Sequence, residues 1–261
     1  MTTIALDDLQ PGTGTTLRRR ADSRQQDANT DTSSVPTNRS DALSTAPPQD
    51  SPSFQPTNFY WISWHGLLPP YNIEVFDLTS DISTPFTGFT ESFQNEVQRI
   101  RKDHTSTPFF TAHPDNRFCT RYGIRDSQGD IIAQWQHPWI TTGKTVFSFP
   151  EGSPYCSHPV HLAHDNMLKN LLALRTESFS YNSAKFVWTI DSRWHAHRMS
   201  LYRVWGSGPG QKRIEVGRWA QKWGLRPEGI LVVDEREVSG LVACLTLLAL
   251  MKKKRHEGGG G

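Results

Sequence analysis

The chain has 261 residues, with 28 lysines and arginines against 26 aspartates and glutamates and a formal net charge of +2. So balanced a charge gives no strong global preference for nucleic acid, membrane or acidic partners. Its three cysteines, Cys119, Cys156 and Cys244, are widely spaced with no C-x-x-C pair. That excludes a disulfide framework and a zinc-finger pattern and makes a reducing compartment the default.

Residues 1–57 are rich in Thr, Ser, Pro, Asp, Gln and Arg and contain a single aromatic, Phe54. Such a segment buries too little apolar surface to offset its ordering entropy, so a disordered arm is expected. It has no apolar h-region of a secretory signal. Asp7 and Asp8 beside Arg18-Arg19-Arg20 argue against a mitochondrial transit peptide.

At Asn58 the composition changes. Phe59–Trp64 is aromatic and β-branched between Pro56 and Gly66, and Tyr71–Val75 alternates apolar and polar residues; both read as strands. Between Asp81 and Thr107, Phe93, Val97 and Ile100 have helical spacing, which places Arg99, Arg101 and Lys102 towards solvent or a partner. Strand signals then come at short intervals: Phe109-Phe110, Arg117–Arg125, Asp130–Trp135 after a Gly129 turn, Thr145–Phe149 and Val160–Ala163. Asp165 or Asn166 caps an expected short helix through Met167, Leu168, Leu171 and Leu172. Lys185–Ile190, Ser200–Trp205, Arg213–Trp219 and Gly229–Val233 complete ten to twelve expected strands.

The last apolar run, Val238–Met251, is interrupted by Ser239 and Thr246 alone and is followed by Lys252-Lys253-Lys254-Arg255. A helix apolar all round is buried in a core or in a membrane. Fourteen residues rise about 21 Å, short of the roughly 30 Å hydrocarbon layer, so a core helix is favoured over a tail anchor. Asp234 and Glu237 resemble a capping box, and the basic end suits the helix dipole and solvent. Many short strands and one apolar helix have a natural solution. The sheet closes into a barrel and the helix fills it, which also removes the sheet edges.

Several features in order resemble the tubby C-terminal-like superfamily in its fungal form. Phe110-Thr111-Ala112-His113-Pro114 precedes a Tyr122…Asp126-x-x-Gly129-Asp130-Ile131-Ile132-Ala133 hairpin. Phe186-Val187-Trp188, Leu201-Tyr202-Arg203 and Gly217-Arg218 follow, then a Gly229-Ile230-Leu231 strand leading into the apolar helix. The resemblance implies a closed antiparallel β-barrel of about twelve strands around a central hydrophobic C-terminal helix, shared with phospholipid scramblases. On that reading 1–57 is the arm, 58–256 the barrel domain with its helix at 235–254, and 257–261 a flexible Gly tail. The family's activity is phosphoinositide binding through a basic pocket, whose residues do not map onto defined positions here. No counterpart of the scramblases' acidic calcium segment is visible near Val238.

Between Lys185 and Arg226 nine basic residues face only Asp191 and Glu215. Among them Lys185, Arg198, Arg203, Lys212, Arg213 and Arg218 are the candidate contacts to an anionic lipid headgroup, each worth about 1 kcal/mol near anionic lipid. The competing reading is a solvated barrel exterior. His158, His161 and His164 do not share a face, and His195 with His197 supplies two ligands where a metal needs three or four, so no metal is expected. No nucleophile elbow or triad is present, Gly206–Gly210 lacks the ending of a phosphate loop, and no nucleic-acid motif accompanies the tryptophans. The expectation is a non-enzymatic, cofactor-free monomer, cytoplasmic or peripheral at a membrane, binding anionic phospholipid. The alternatives are a protein-interaction scaffold acting through the arm and a tail-anchored membrane protein.

Overall fold

A computed structural model describes residues 54–65, 72–103, 107–137, 143–164, 176–190, 198–206, 211–222 and 228–258, with side chains to 253. Its strands are β1 (Asn58–His65), β2 (Asn72–Asp77), β3 (Phe110–Pro114), β4 (Arg121–Asp126), β5 (Ile131–Gln136), β6 (Thr145–Ser148), β7 (Val160–His164), β8 (Thr176–Tyr181), β9 (Ala184–Ile190), β10 (Arg198–Trp205), β11 (Lys212–Gln221) and β12 (Gly229–Val233). Helix α1 (Glu91–Asp103) lies between β2 and β3, and α2 (Gly240–Gly258) follows β12. Each strand pairs antiparallel with its neighbours in sequence, and β12 pairs with β1 from Asn58↔Val233 to Ile62↔Gly229, closing the barrel.

The aromatic run of β1 is covered on both faces, which explains why it reads as continuously apolar. Tyr60, Ile62 and Trp64 point into the barrel, while Phe59 and Trp61 belong to a second cluster on the outside. Helix α1 covers that outer cluster with Phe93 and Val97. Its start is capped by Thr90, whose hydroxyl accepts the Phe93 amide at 3.3 Å.

Every residue from Leu241 to Met251 is at most 5% exposed, so α2 has no solvent face over this stretch. The apolar segment therefore occupies the barrel's core, and among the described residues no helix is long and apolar enough to cross a membrane. Thr246 is tolerated because its hydroxyl donates back to the carbonyls of Val242 and Ala243 at 2.9 and 3.1 Å. The same oxygen accepts the indole N–H of Trp188 on β9 at 3.0 Å.

The expected closed barrel around an apolar terminal helix is thus observed, with four differences of detail. Helix α2 begins at Gly240 and not at 235, because Asp234–Val238 form a turn in which the Asp234 carbonyl accepts the amides of Glu237 and Val238. The cap is Glu235 and not the Asp234/Glu237 pair: Glu235 Oε1 accepts the Gly240 amide at 2.8 Å and the Tyr60 hydroxyl at 2.6 Å. A Cβ at Gly240 would stand 2.2 Å from that oxygen, so glycine is required by close approach.

Second, the first basic residues after the run are not solvated. Lys252 and Lys253 are 5% and 1% exposed. Third, β8 has no counterpart in the sequence expectation, since its buried positions include the polar Thr176 and Glu177. Fourth, Phe54–Thr57, assigned to the arm, is bound to the barrel. The Thr57 amide donates to Val233 O at 2.8 Å, and Phe54 packs edge-on against Phe86 at 6.0 Å. The expected helix around Met167–Leu172 and the rest of the arm lie outside the described residues.

A basic groove between helix α1 and the barrel wall

Helix α1 lays Phe93 and Val97 on the barrel, and the same turns carry Gln98, Arg99 and Lys102 on its exposed side. Arg101 is half-buried, its guanidinium 3.9 Å above the centre of the Phe76 ring. That stacking fixes the last turn of α1 against β2 by a cation–π contact. Facing the helix are the outward side chains of β1, Trp61, Ser63 and His65, and the β11–β12 connection with Lys222 and Glu228. Together they enclose a groove of about 680 Å³.

The lining carries Arg99, Arg101, Lys102 and Lys222 against one carboxylate, Glu228. Glu228 Oε1 accepts the Ser63 hydroxyl at 3.4 Å, and the Glu228 carbonyl accepts the Lys222 amide at 2.7 Å. His65 Nε2 lies 2.8 Å from Glu74 Oε2, and a protonated imidazole there is partly neutralised. The indole of Trp61 gives the groove an apolar wall. A concave, cationic surface with one apolar side suits a phosphate-bearing or carboxylate ligand, because several donors converge where water is partly excluded.

The six basic residues singled out in sequence do not line this groove. Lys185 and Arg213 lie in one cross-strand row on either side of Val204, about 10 Å apart across two strand spacings. Arg198 is exposed at the opposite end of β10, paired with Ala220. Lys212 is exposed where β11 begins. Arg218 is held by Glu215 through two hydrogen bonds of 2.6 and 2.5 Å, with its guanidinium 5.6 Å from the Phe54 ring. Arg203 lies in register with the inward Phe186, is bonded to Glu237 and sits 4.9 Å from the Trp205 ring. Among the described residues, the structure distributes these six over the wall and both ends of the barrel and brings none of them together around a hollow.

A second hollow, of about 430 Å³, lies at the mouth where the chain enters α2. It is walled by Tyr60, Phe109, Tyr155 and Tyr181 with Asp77, Glu235 and Glu237 against the one cation Arg236, an aromatic and net acidic lining that disfavours anions. Burial, with the nearby Cys244 thiol and Glu235 adding to it, pushes the Tyr60 phenol far above its ordinary value. Tyr60 therefore serves as a hydrogen-bond donor to Glu235 and not as an acid–base group. Cys119, Cys156 and Cys244 are buried free thiols, and burial pushes the Cys244 thiol well up, which suppresses its thiolate. His158, His161 and His164 are all exposed, and among the described residues no group of three or more His, Cys, Asp or Glu side chains is placed to hold a metal ion. His195 and His197 lie outside the described residues.

Arg99 and Lys102 carry the one signal legible in sequence, the helical spacing that turns them away from Phe93 and Val97, whereas Arg101, expected to face solvent too, sits one turn after Val97 and is half-buried over Phe76. Their meeting with Lys222 depends on β12 closing against β1. Comparison of the chain with protein-family models, curated proteins and solved structures finds no match.

Proposed function

We propose that the protein is a non-enzymatic, tubby-like barrel that binds anionic phospholipid headgroups in the groove between α1 and the barrel wall, acting peripherally at a membrane surface. The observation that carries this reading is the convergence of Arg99, Arg101, Lys102 and Lys222 around one concave surface with a single lining carboxylate. Arginine and lysine side chains that share a concavity act on one headgroup together, whereas the cations spread along β9–β11 do not. The terminal helix is consumed in holding the barrel, so the reading needs no membrane-spanning segment. Its resemblance to tubby-like sequences supports the same ligand class.

The test is co-sedimentation of the full chain with vesicles of phosphatidylcholine alone and with added phosphatidylserine or phosphoinositide, at low and raised salt. Binding is expected only with anionic lipid and is expected to weaken with salt, because exposed charge pairs are screened over about 10 Å at 0.1 M. Absence of binding to anionic vesicles at low salt rules the reading out.

A further inference from the structure

The β3–β4 connection, Asp115–Thr120, is a compact turn held by its own hydrogen bonds. Asn116 organises it. The Asn116 carbonyl accepts the Cys119 amide at 3.0 Å, its side-chain oxygen accepts the Thr120 amide at 2.9 Å, and its side-chain nitrogen donates to the Thr120 hydroxyl at 2.6 Å. Cys119 takes a positive φ of 54°, which turns its side chain into the core, and its carbonyl accepts a bond from Lys252 of α2. A left-handed cysteine is unfavourable unless its surroundings hold it. The neighbouring Phe118 is left 67% exposed, the most exposed large apolar side chain among the described residues. The turn therefore leaves most of the Phe118 side chain accessible at the surface.

Its position relative to the groove follows from the topology. His65 ends β1, Asn72 begins β2, and the Asn72 side chain meets His113 Nδ1 near the end of β3 at 3.2 Å. The Phe118 turn, His65, Lys222 and Glu228 thus share one rim of the barrel. Three strand spacings separate β1 from β4, about 15 Å. On either side of Phe118 the exposed Arg117 and Arg121 add positive charge, opposed locally by Asp115. The far rim mixes exposed Asp77, Asp130 and Glu151 with exposed Arg125, Lys212 and Arg213.

We infer that the β3–β4 turn is a membrane wedge: Phe118 inserts into the headgroup–acyl boundary of an anionic bilayer while Arg117, Arg121 and the groove contact its phosphates. This rests on the lipid-binding reading above and gives it an orientation, with the Phe118 rim and the groove towards the bilayer. An aromatic ring fixed beside arginines matches the bilayer interface, where an apolar body and cationic neighbours are both satisfied. The turn's hydrogen bonds reduce the backbone ordering that insertion would otherwise cost.

The test uses the full chain with phosphatidylcholine–phosphatidylserine vesicles and, separately, inositol hexakisphosphate as a soluble probe of the groove. Phe118→Ala is expected to weaken vesicle partitioning about tenfold and Phe118→Leu far less, from the apolar area withdrawn from water. Neither is expected to change binding of the soluble probe. Phe118→Cys, labelled with an environment-sensitive dye, is expected to shift to the blue on vesicle addition; the three native cysteines are buried, so labelling is selective. Equal vesicle binding by Phe118→Ala with the dye still in water overturns the wedge and leaves the groove reading standing. Failure of the native chain to bind either ligand removes both.

Discussion

Lys253, near the end of α2, and Glu177 of β8 form an ion pair of 2.9 Å with side chains 1% and 0% exposed. The pair joins the central helix to the barrel wall where no water reaches it. An all-apolar helix has little to fix its axial position in an apolar tube, because sliding exchanges one greasy contact for another. A buried charge pair fixes it, since any slip leaves two charges unpaired in a low-dielectric interior.

Removing one partner should therefore be costly. Lys253→Met or Glu177→Leu is expected to lower stability by about 3–5 kcal/mol, because the remaining charge is stranded. The double substitution Lys253→Met with Glu177→Leu should recover most of that loss, since an apolar pair replaces a desolvated ionic one. Chemical denaturation of the four proteins gives the coupling energy. Additive losses would show that the two side chains do not act as a pair.

The Thr246–Trp188 hydrogen bond is the second registration point. Thr246→Val keeps the side chain's shape but leaves the Trp188 indole N–H without its acceptor, at an expected cost of about 1–3 kcal/mol. Thr246→Ser retains the hydroxyl and should cost about 1 kcal/mol, the loss of one buried methyl. A denaturation midpoint for Thr246→Val equal to that of the native chain would mean that another group satisfies the indole.

The barrel was legible in sequence wherever burial followed period or uniformity. Ile73 and Val75 alternate with polar residues and point inward, and Val238–Met251 is apolar all round because it is enclosed all round. Legibility failed where a polar residue is buried against a distant partner. Glu177 makes β8 look like a loop until Lys253 is seen beside it, and Lys252-Lys253 reads as a solvated tail until Glu177 and the Cys119 carbonyl are known. The groove was half legible: the spacing of α1 turned its basic face outward, but Lys222 joins it only through closure of the barrel. Charge density alone favoured β9–β11, where alternation and ion pairing in fact scatter the cations.

Lys252 gives the fold a pH signature. Burial lowers its ammonium from 10.5 to about 8, although its Nζ lies 4.6 and 5.4 Å from the Tyr122 and Trp135 rings. Between these values the unfolded chain holds a proton that the folded chain has released, so raising the pH favours folding. Stability is expected to rise by about 1–2 kcal/mol from about pH 7.5 to 9.5 on this account. Above that window Tyr60 acts in the opposite direction, because an unfolded phenol ionises near 10.0 while the buried one does not. Denaturation midpoints of the native chain and of Lys252→Met across the window check the assignment. The difference between them should grow with pH, and a constant difference would remove Lys252 as the cause.

The groove itself is tested by comparing cations that converge with cations that do not. Lys102→Gln and Lys222→Gln each remove one lining charge without touching a buried contact, since both side chains are exposed. At about 1 kcal/mol per basic residue near anionic lipid, each should weaken binding to phosphatidylserine vesicles about fivefold. The pair together should lose about 25-fold and show a shallower dependence on salt, if the two act independently. Arg213→Gln removes an exposed cation of the same sign on the outer wall, away from the groove. It is expected to change binding by less than about twofold, because screening over roughly 10 Å isolates it from a headgroup held by α1. If Arg213→Gln matched Lys222→Gln in effect, binding would follow net charge, and the groove would lose its claim to be the site.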